Sequence, residues 1–372
     1  MNGDAMSILF EPFEVGGLEL RNRIVRSATT SAYSRPDGVL RPEIVDLLVR
    51  LAEGEVGLIV KGHLYVMETG KAFVGQAGID GEAQLPMLRR LTEAVHAAGG
   101  VIAAQLNHAG INSEIERAGP SAYDGPTRSL ARVRARALTS DEVWGIVEAF
   151  GDGAERAMEA GFDGVQIHGA HGWLISQFLS RSLNRRDDEW GGDLERRMRL
   201  LSEVHDAVRE RVGRSTPVML KMNCDDFSPD GFTIDDSIRV AKAICRRGLD
   251  LLEVSGGSYV DQRMELRDRA RLKEDPVLSE AHFAGYAAEI KKAVGDTTTS
   301  IVGGIRSLAC MEAIVERGVA DMVSMCRPFI REQDLVKKLK RGQARAACTS
   351  CDRHGEIMRK AMLHCPVAKP SR

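Results

Sequence analysis

Eight short, almost wholly apolar runs recur along the 372 residues, each parted from the next by other segments, most of them amphipathic and of helical length. The runs are Ile24–Ala28, Gly57–Lys61, Val101–Leu106, Gly164–His168, Val218–Asn223, Asp250–Ser255, Ser300–Gly304 and Asp321–Met325. Apolar residues at successive positions, not at every second one, mark strands covered on both faces, as in parallel sheets. Between them lie segments such as Pro42–Glu53, Leu85–Ala98, Asp141–Ala160, Leu194–Val212, Ile234–Arg247, Ala281–Val294 and Ala309–Arg317. Ser140-Asp141-Glu142 offers a cap with early acidic residues, while Gly161, Gly213, Gly248, Gly295 and Gly318 follow helices as C′ residues. Such units with no linker between them predict an α/β fold, a single (β/α)₈ TIM barrel. The rival is a doubly wound sheet, which usually brings a Gly-rich dinucleotide fingerprint after its first strand. None is here, and Gly151-Asp152-Gly153 sits inside a helical pattern. Ahead of the barrel, Val15–Leu20 alternates around Gly16-Gly17 and predicts a short hairpin. The expected division is 1–341 for the barrel and 342–372 for a Cys-containing C-terminal tail.

Composition narrows the function classes. Hydrophobic residues are 43% and charged residues 28%, with a formal net charge of -2, so no general nucleic-acid or membrane electrostatic footprint is expected. No apolar run approaches the ~20 residues that span a bilayer. Met1–Phe10 lacks a basic segment followed by an apolar core, and seven cysteines are an odd count. The expectation is a cytoplasmic protein with reduced thiols, not a disulfide scaffold.

In a (β/α)₈ barrel the chemistry sits where strands end and the following loops begin. The residues at those points include Ser27-Ala28-Thr29, Gly62-His63, Gln105 to His108, His168 with His171, Lys221, Gly303-Gly304 and Cys326-Arg327. Two imidazoles three residues apart can donate hydrogen bonds to a substrate oxygen or move a proton near neutral pH. A single strand-end histidine is more often structural; a His-x-x-His pair at a strand-to-loop junction favours a site. Gly303 and Gly304 would let backbone amides approach a ligand, and with Arg327 they suit a phosphate. The plainer reading is that the glycines turn the chain and Arg327 meets a local carboxylate.

Taken together these residues resemble the old yellow enzyme family of FMN-dependent oxidoreductases over nearly the whole chain. The resemblance is carried by Asn22 to Thr29, Gln105 to Gly110, His168 to Gly172, Gln177-Phe178-Leu179, Asn184 to Gly192, Val302 to Ile305 and Cys326-Arg327-Pro328. It implies that Gln105 bonds the flavin pyrimidine, that Lys221 supplies the cation near N1 and O2, and that Ser27, Ala28, Thr29 and Gly62 line the N5 and dimethylbenzene side. Gly303, Gly304, Cys326 and Arg327 would hold the phosphate, with Cys326 in place of a usual glycine. His168 and His171 would grip a substrate carbonyl oxygen above the flavin. The family usually protonates the α-carbon with a Tyr two residues after the pair; here that position is Trp173, whose indole N–H donates but does not titrate in water. Tyr33, His63, Tyr65, Tyr259 or water are the substitutes, and for each alone a packed side chain with its polar tip satisfied is the plainer reading.

In the tail, Cys348, Cys351, His354 and Cys365 are four potential soft ligands at metal-site spacing. Larger relatives carry four cysteines there for a [4Fe–4S] cluster and continue into a nucleotide-binding domain, which this sequence, ending at Arg372, is expected to lack. An iron–sulfur cluster, a zinc site and free thiols all remain open. Arg128, Arg132, Arg134 and Arg136 follow the third strand, and Arg263, Arg267, Arg269, Arg271 and Lys273 the sixth. Both groups read either as attraction for an anionic nucleotide or acyl-CoA or as solvated, internally paired surface. The resemblance implies an NAD(P)H-dependent flavin enzyme that reduces a carbonyl-activated C=C bond in an enone or enoyl thioester, with FMN as cofactor and NADH or NADPH as hydride donor. Homo-oligomers and an electron-transfer partner are compatible with it. The alternatives are oxidative amine demethylation with electrons leaving through a tail cluster, and a flavoprotein electron carrier or structural subunit.

Overall fold

The structure, a computed structural model, describes residues 7–127, 132–258, 275–351, 353 and 364–367. His354, Tyr259, Arg128, the basic group from Arg263 to Lys273 and most of the tail lie outside the described residues.

The apolar runs become eight parallel strands: β1 (Ile24–Arg26), β2 (Leu58–Tyr65), β3 (Ile102–Asn107), β4 (Gly164–Gly169), β5 (Val218–Asn223), β6 (Leu251–Ser255), β7 (Thr298–Val302) and β8 (Met322–Met325). Each pairs with the next in chain order, and β8 pairs with β1, so the sheet closes. This is the expected (β/α)₈ barrel. Closure leaves no strand edge to protect, which is why charged or Pro-blocked edge strands are unnecessary.

The interior changes character along the strands. Near their N-terminal ends Val25, Leu58, Val60, Ala103, Met219, Leu251 and Met322 form one apolar cluster. The hairpin Phe13–Val15 and Leu18–Leu20 seals that end by adding Val15 and Leu20. Gly16 and Gly17, at φ 55° and 83°, form its turn, a conformation that costs glycine least. Farther along, the inward-facing positions turn polar.

Helices fit the expected segments with local changes. Pro42–Glu53 starts on its proline and buries Ile44, Val45, Leu48, Leu51 and Ala52, one apolar face at helical spacing. The helix Ser140–Glu159 is capped by Thr139, not by Ser140, because Thr139 Oγ1 accepts from the Glu142 amide while Glu142 reaches back to the Thr139 N–H. The segment expected as one helix from Leu194 to Val212 breaks at Met198 into Leu194–Arg197 and Arg199–Val212. At the break Arg197 is buried, donating to Leu179 O and pairing with Asp236 at 3.5 Å. The expected C′ glycines Gly161, Gly213, Gly248, Gly295 and Gly318 all have φ between 63° and 91°.

One element was not expected. The basic stretch after β3 is a three-stranded sheet of Ala118–Gly119, Tyr123–Pro126 and Arg132–Ala137. Arg132, Arg134 and Arg136 alternate with Val133 and Ala135, which pack on Ile111, Tyr123 and Leu183. That period of two was the available signal. Asp124 takes Arg132 at 2.7 Å and Arg134 at 3.4 Å, and Glu142 takes Arg136 at 2.6 Å, so these arginines are ion-paired at the surface.

The Asn184 to Gly192 segment ties this sheet to the barrel. Asn184 Nδ2 donates to Phe178 O and Trp190 O, both at 2.8 Å. Arg186 binds Asp188 through its Nε at 2.9 Å and donates through Nη1 to Pro120 O at 3.0 Å and to Leu138 O. These contacts of Asn184 to Gly192, one of the stretches that carry the resemblance, are therefore architectural.

Candidate active site

At the C-terminal end of the barrel a buried polar chain crosses four strands. Gln105 on β3 and Gln166 on β4 are register partners, as are Lys221 on β5 and Glu253 on β6. Gln105 Nε2 donates to Gln166 Oε1 at 2.7 Å, and Gln166 Nε2 donates to Glu253 Oε2 at 3.0 Å. Lys221 Nζ lies 3.1 Å from that same oxygen and donates to Ser27 Oγ at 2.6 Å. All five side chains are buried. Glu253 and Gln166 were not among the expected site residues; an acidic residue inside the apolar run Asp250–Ser255 was the one signal for the first of them.

Around this chain stand the other strand-end residues. A side chain at Gly62 would run into the Ala28 Cβ and the Gln105 Oε1, so glycine keeps open the space in front of both. Thr29 Oγ1 donates to Ser27 O at 3.0 Å, which ties the two ends of this turn together. Gly303 and Gly304 have φ of 131° and 81°, and a Cβ on Gly304 would strike Glu280 O and the His282 ring. With Cys326 and Arg327 they line a cleft of ≈ 60 Å³, which Ser324 and Ser350 also reach. Cys326 caps the short helix Arg327–Arg331, its Sγ 3.8 Å from Ser27 O. Ser324 Oγ and Ser300 Oγ are buried without a hydrogen-bond partner among the described residues.

His168 is the last residue but one of β4 and lies beside Lys221 in register. Its ring centroid is 5.3 Å from that of His171, with the planes perpendicular at 90°. Burial above all, and then the charges of His171, His63 and Lys221, hold His168 well below the usual histidine range, so it is neutral at pH 7. His168 Nδ1 has no hydrogen-bond partner among the described residues. His171 sits at φ 64°, a left-handed conformation that a histidine adopts at a cost. It is held there by its amide on Asn223 Oδ1 at 3.1 Å and its Nε2 on Ser255 Oγ at 2.7 Å.

The other expected residues are placed as follows. Trp173 is buried with Ala72 and Ala109, and its ring lies 5.0 Å from His63. His63 joins the same ring cluster, 5.9 Å from His168. Tyr33 turns its hydroxyl to Glu43 at 3.3 Å, and Tyr65 donates to Asp37 O at 3.3 Å, its phenol pushed up chiefly by burial. Cys348, Cys351 and Cys365 are not in disulfides, and Arg331 Nη1 donates to Cys365 Sγ at 3.9 Å; among the described residues no group of three or more His, Cys, Asp or Glu is arranged to hold a metal.

His108, at the end of β3, gives a pH prediction. Its Nδ1 accepts from the Gly110 amide at 3.2 Å, and burial pushes it down from 6.5 to about 4. The folded ring stays neutral while the unfolded one takes a proton below pH 6.5, so its stabilisation falls as pH drops through that window. Between pH 7 and 5 the loss is about 2 kcal/mol at ~1.4 kcal/mol per unit. Urea unfolding of the wild type and His108→Gln at both pH values checks this; equal pH slopes in the two would refute it.

Residues 8–346 match the NADH:flavin oxidoreductase / NADH oxidase family. The chain belongs to this family, that of old yellow enzyme. It is 33% identical over 368 residues to an NADH oxidase of Thermoanaerobacter brockii, covering 96% of this chain and 55% of that protein. To an NADPH dehydrogenase of Bacillus licheniformis it is 34% identical over 330 residues, 87% of this chain and 91% of that one. The structure of 2-naphthoyl-CoA reductase in complex with 2-naphthoyl-CoA matches with a TM-score of 0.84 at 26% identity, over 91% of this chain and 53% of that one. The chain thus spans about half the length of the NADH oxidase and of the naphthoyl-CoA reductase.

The family implies FMN, and the residues present fit it. Gln105 would offer an amide to the pyrimidine, Lys221 a cation beside it and Gly62 the open space, while Gly303, Gly304, Cys326 and Arg327 would cradle a phosphate beside the Ser324 hydroxyl, which has no partner among the described residues. No helix among the described residues is long and apolar enough to cross a membrane.

Proposed function

We propose that this protein is an FMN-dependent oxidoreductase that uses NADH or NADPH to reduce a C=C bond conjugated to a carbonyl, in an enone or an enoyl thioester. The observation that carries the reading is the His168–His171 pair at the mouth of a barrel whose polar interior suits a flavin. FMN bound there supplies hydride exchange between a nicotinamide and the substrate. The chain's own residues do the rest. A neutral His168 keeps one N–H to donate, and His171, its amide anchored by Asn223 and its Nε2 by Ser255, sets a second imidazole beside it with the ring planes perpendicular. Two donors converging on a carbonyl oxygen stabilise the enolate charge that develops when the β-carbon accepts hydride. The 2-naphthoyl-CoA ligand of the structurally similar reductase is a conjugated thioester, which supports this substrate class.

Proton delivery to the α-carbon falls to a water that the His63 N–H positions in this reading, since a neutral imidazole is itself no acid near pH 7. Gln76 Oε1 accepts from the Ala72 amide at 2.6 Å, so its Nε2 is the end that faces His63 Nδ1 at 2.7 Å. Asn107 Nδ2 approaches the same nitrogen at 3.0 Å. Nδ1 is therefore an acceptor, and the ring proton sits on Nε2. His63→Phe is expected to lower turnover about 10²-fold while sparing flavin reduction; an unchanged steady-state rate would assign the proton elsewhere.

The reading is tested by purifying the protein with FMN under anaerobic conditions. The flavin spectrum should bleach with NADH or NADPH and return on addition of a cyclic enone. Failure to bind FMN would refute it. Reoxidation through a tail cluster in place of the alkene would favour the oxidative amine demethylase alternative, and reoxidation by a partner protein alone the electron carrier. Ser350 reaches the phosphate cleft, so Cys348 and Cys351 lie beside it in the chain, where a cluster completed by Cys365 and His354 would exchange electrons with the flavin. Iron and zinc analysis of the same sample tests that addition.

A further inference from the structure

The polar chain inside the barrel ends on a carboxylate that the proposed reaction does not use. Glu253 is 1% exposed, and its Oε1 has no hydrogen-bond partner among the described residues. A buried ion pair kept only for stability is poorly justified, since apolar residues of similar volume often stabilise as well. A buried carboxylate oxygen left unsatisfied adds to the cost. Glu253 is therefore retained for something other than stability.

Its two contacts show what that is. A carboxylate can only accept, so Gln166 must present its amide nitrogen to Glu253 Oε2, at 3.0 Å. Gln166 then has only its carbonyl oxygen for Gln105, whose Nε2 donates to it at 2.7 Å. Gln105 is left with its Oε1 turned to the open space before Gly62. The acceptor-only end of the chain thus dictates the polarity of two amides in succession, and an N–H donor such as that of the flavin pyrimidine meets an oxygen. The second contact is with Lys221, 3.1 Å away across neighbouring strands, where a fixed negative charge offsets the lysine's positive one.

We propose that Glu253 is a positioning residue that sets the redox poise of the bound flavin by offsetting the charge of Lys221, and that it supports flavin binding by orienting Gln105 through Gln166. The proposal rests on the flavin reading above. With the carboxylate present, the field of Lys221 at the flavin is partly cancelled, which disfavours the anionic reduced form and keeps the flavin a stronger reductant.

The test is the midpoint potential of FMN bound to the holoprotein, read spectrally against dye standards. Glu253→Gln is expected to move it to a more positive value. Gln166→Leu cuts the amide relay but spares the ion pair; it is expected to leave the potential in place and to weaken FMN binding about tenfold, the worth of one hydrogen bond. A potential that is unchanged or more negative in Glu253→Gln overturns the proposal, as does an equal shift in Gln166→Leu. If Glu253→Gln does not fold, Glu253→Asp draws the carboxylate back by one methylene and is expected to shift the potential the same way by less; no shift overturns it. Wild-type protein that takes up no FMN would instead refute the flavin reading itself.

Discussion

Changing His168 and His171 together to alanine is expected to leave FMN bound and still reduced by NAD(P)H, while enone reduction falls by about 10⁴-fold or more. The size follows from losing two preorganised donors, each worth about 10² or more at a developing oxyanion. The two half-reactions separate because only the substrate's carbonyl oxygen needs the pair. Stopped-flow mixing with NAD(P)H and then with enone reads each half on its own. Since His168 is held neutral, its loss should not create a new pH dependence between pH 6 and 8. Retained enone turnover in the double variant would remove the pair from the reaction.

Lys221→Met is expected to destabilise the protein by roughly 3–5 kcal/mol, because it strands the buried Glu253 charge. Loss of Lys221 also leaves Ser27 Oγ and the shared Glu253 oxygen without their cationic donor. Combining Lys221→Met with Glu253→Gln removes both charges, and most of the stability should return. The pair interacts directly, so the two changes will not be additive. Urea unfolding of the four proteins without FMN gives the coupling energy. A single variant as stable as the wild type, or a double variant no better than the single one, would show that the two groups are not an ion pair.

Much of the barrel was legible because its signals are local. An apolar run of four to six residues buries both faces of a parallel strand wherever it falls, and a glycine after an amphipathic stretch ends a helix without reference to anything distant. The strand-end position of His168 was readable for the same reason. The sheet formed by Arg132–Ala137 was missed because its charge outweighed its alternation: three arginines read as a basic loop, although Val133 and Ala135 supply an inner face. Tyr33 was placed near the site by its distance along the chain from β1, yet its hydroxyl goes to Glu43 on the first helix.

The ordered runs by themselves were enough to set the barrel, and the His168–His171 spacing pointed to the strand ends as the place to look for its chemistry. Tertiary structure alone decided that Gln105, Gln166, Glu253, Lys221 and Ser27 form one hydrogen-bonded chain, and that His63 belongs with Trp173 and His168. The partners in the hydrogen-bonded chain come from strands and strand ends separated by up to 194 residues, as for Lys221 and Ser27. Barrel closure and register bring them within 3 Å or so of one another, and a period within a single segment carries no information about that.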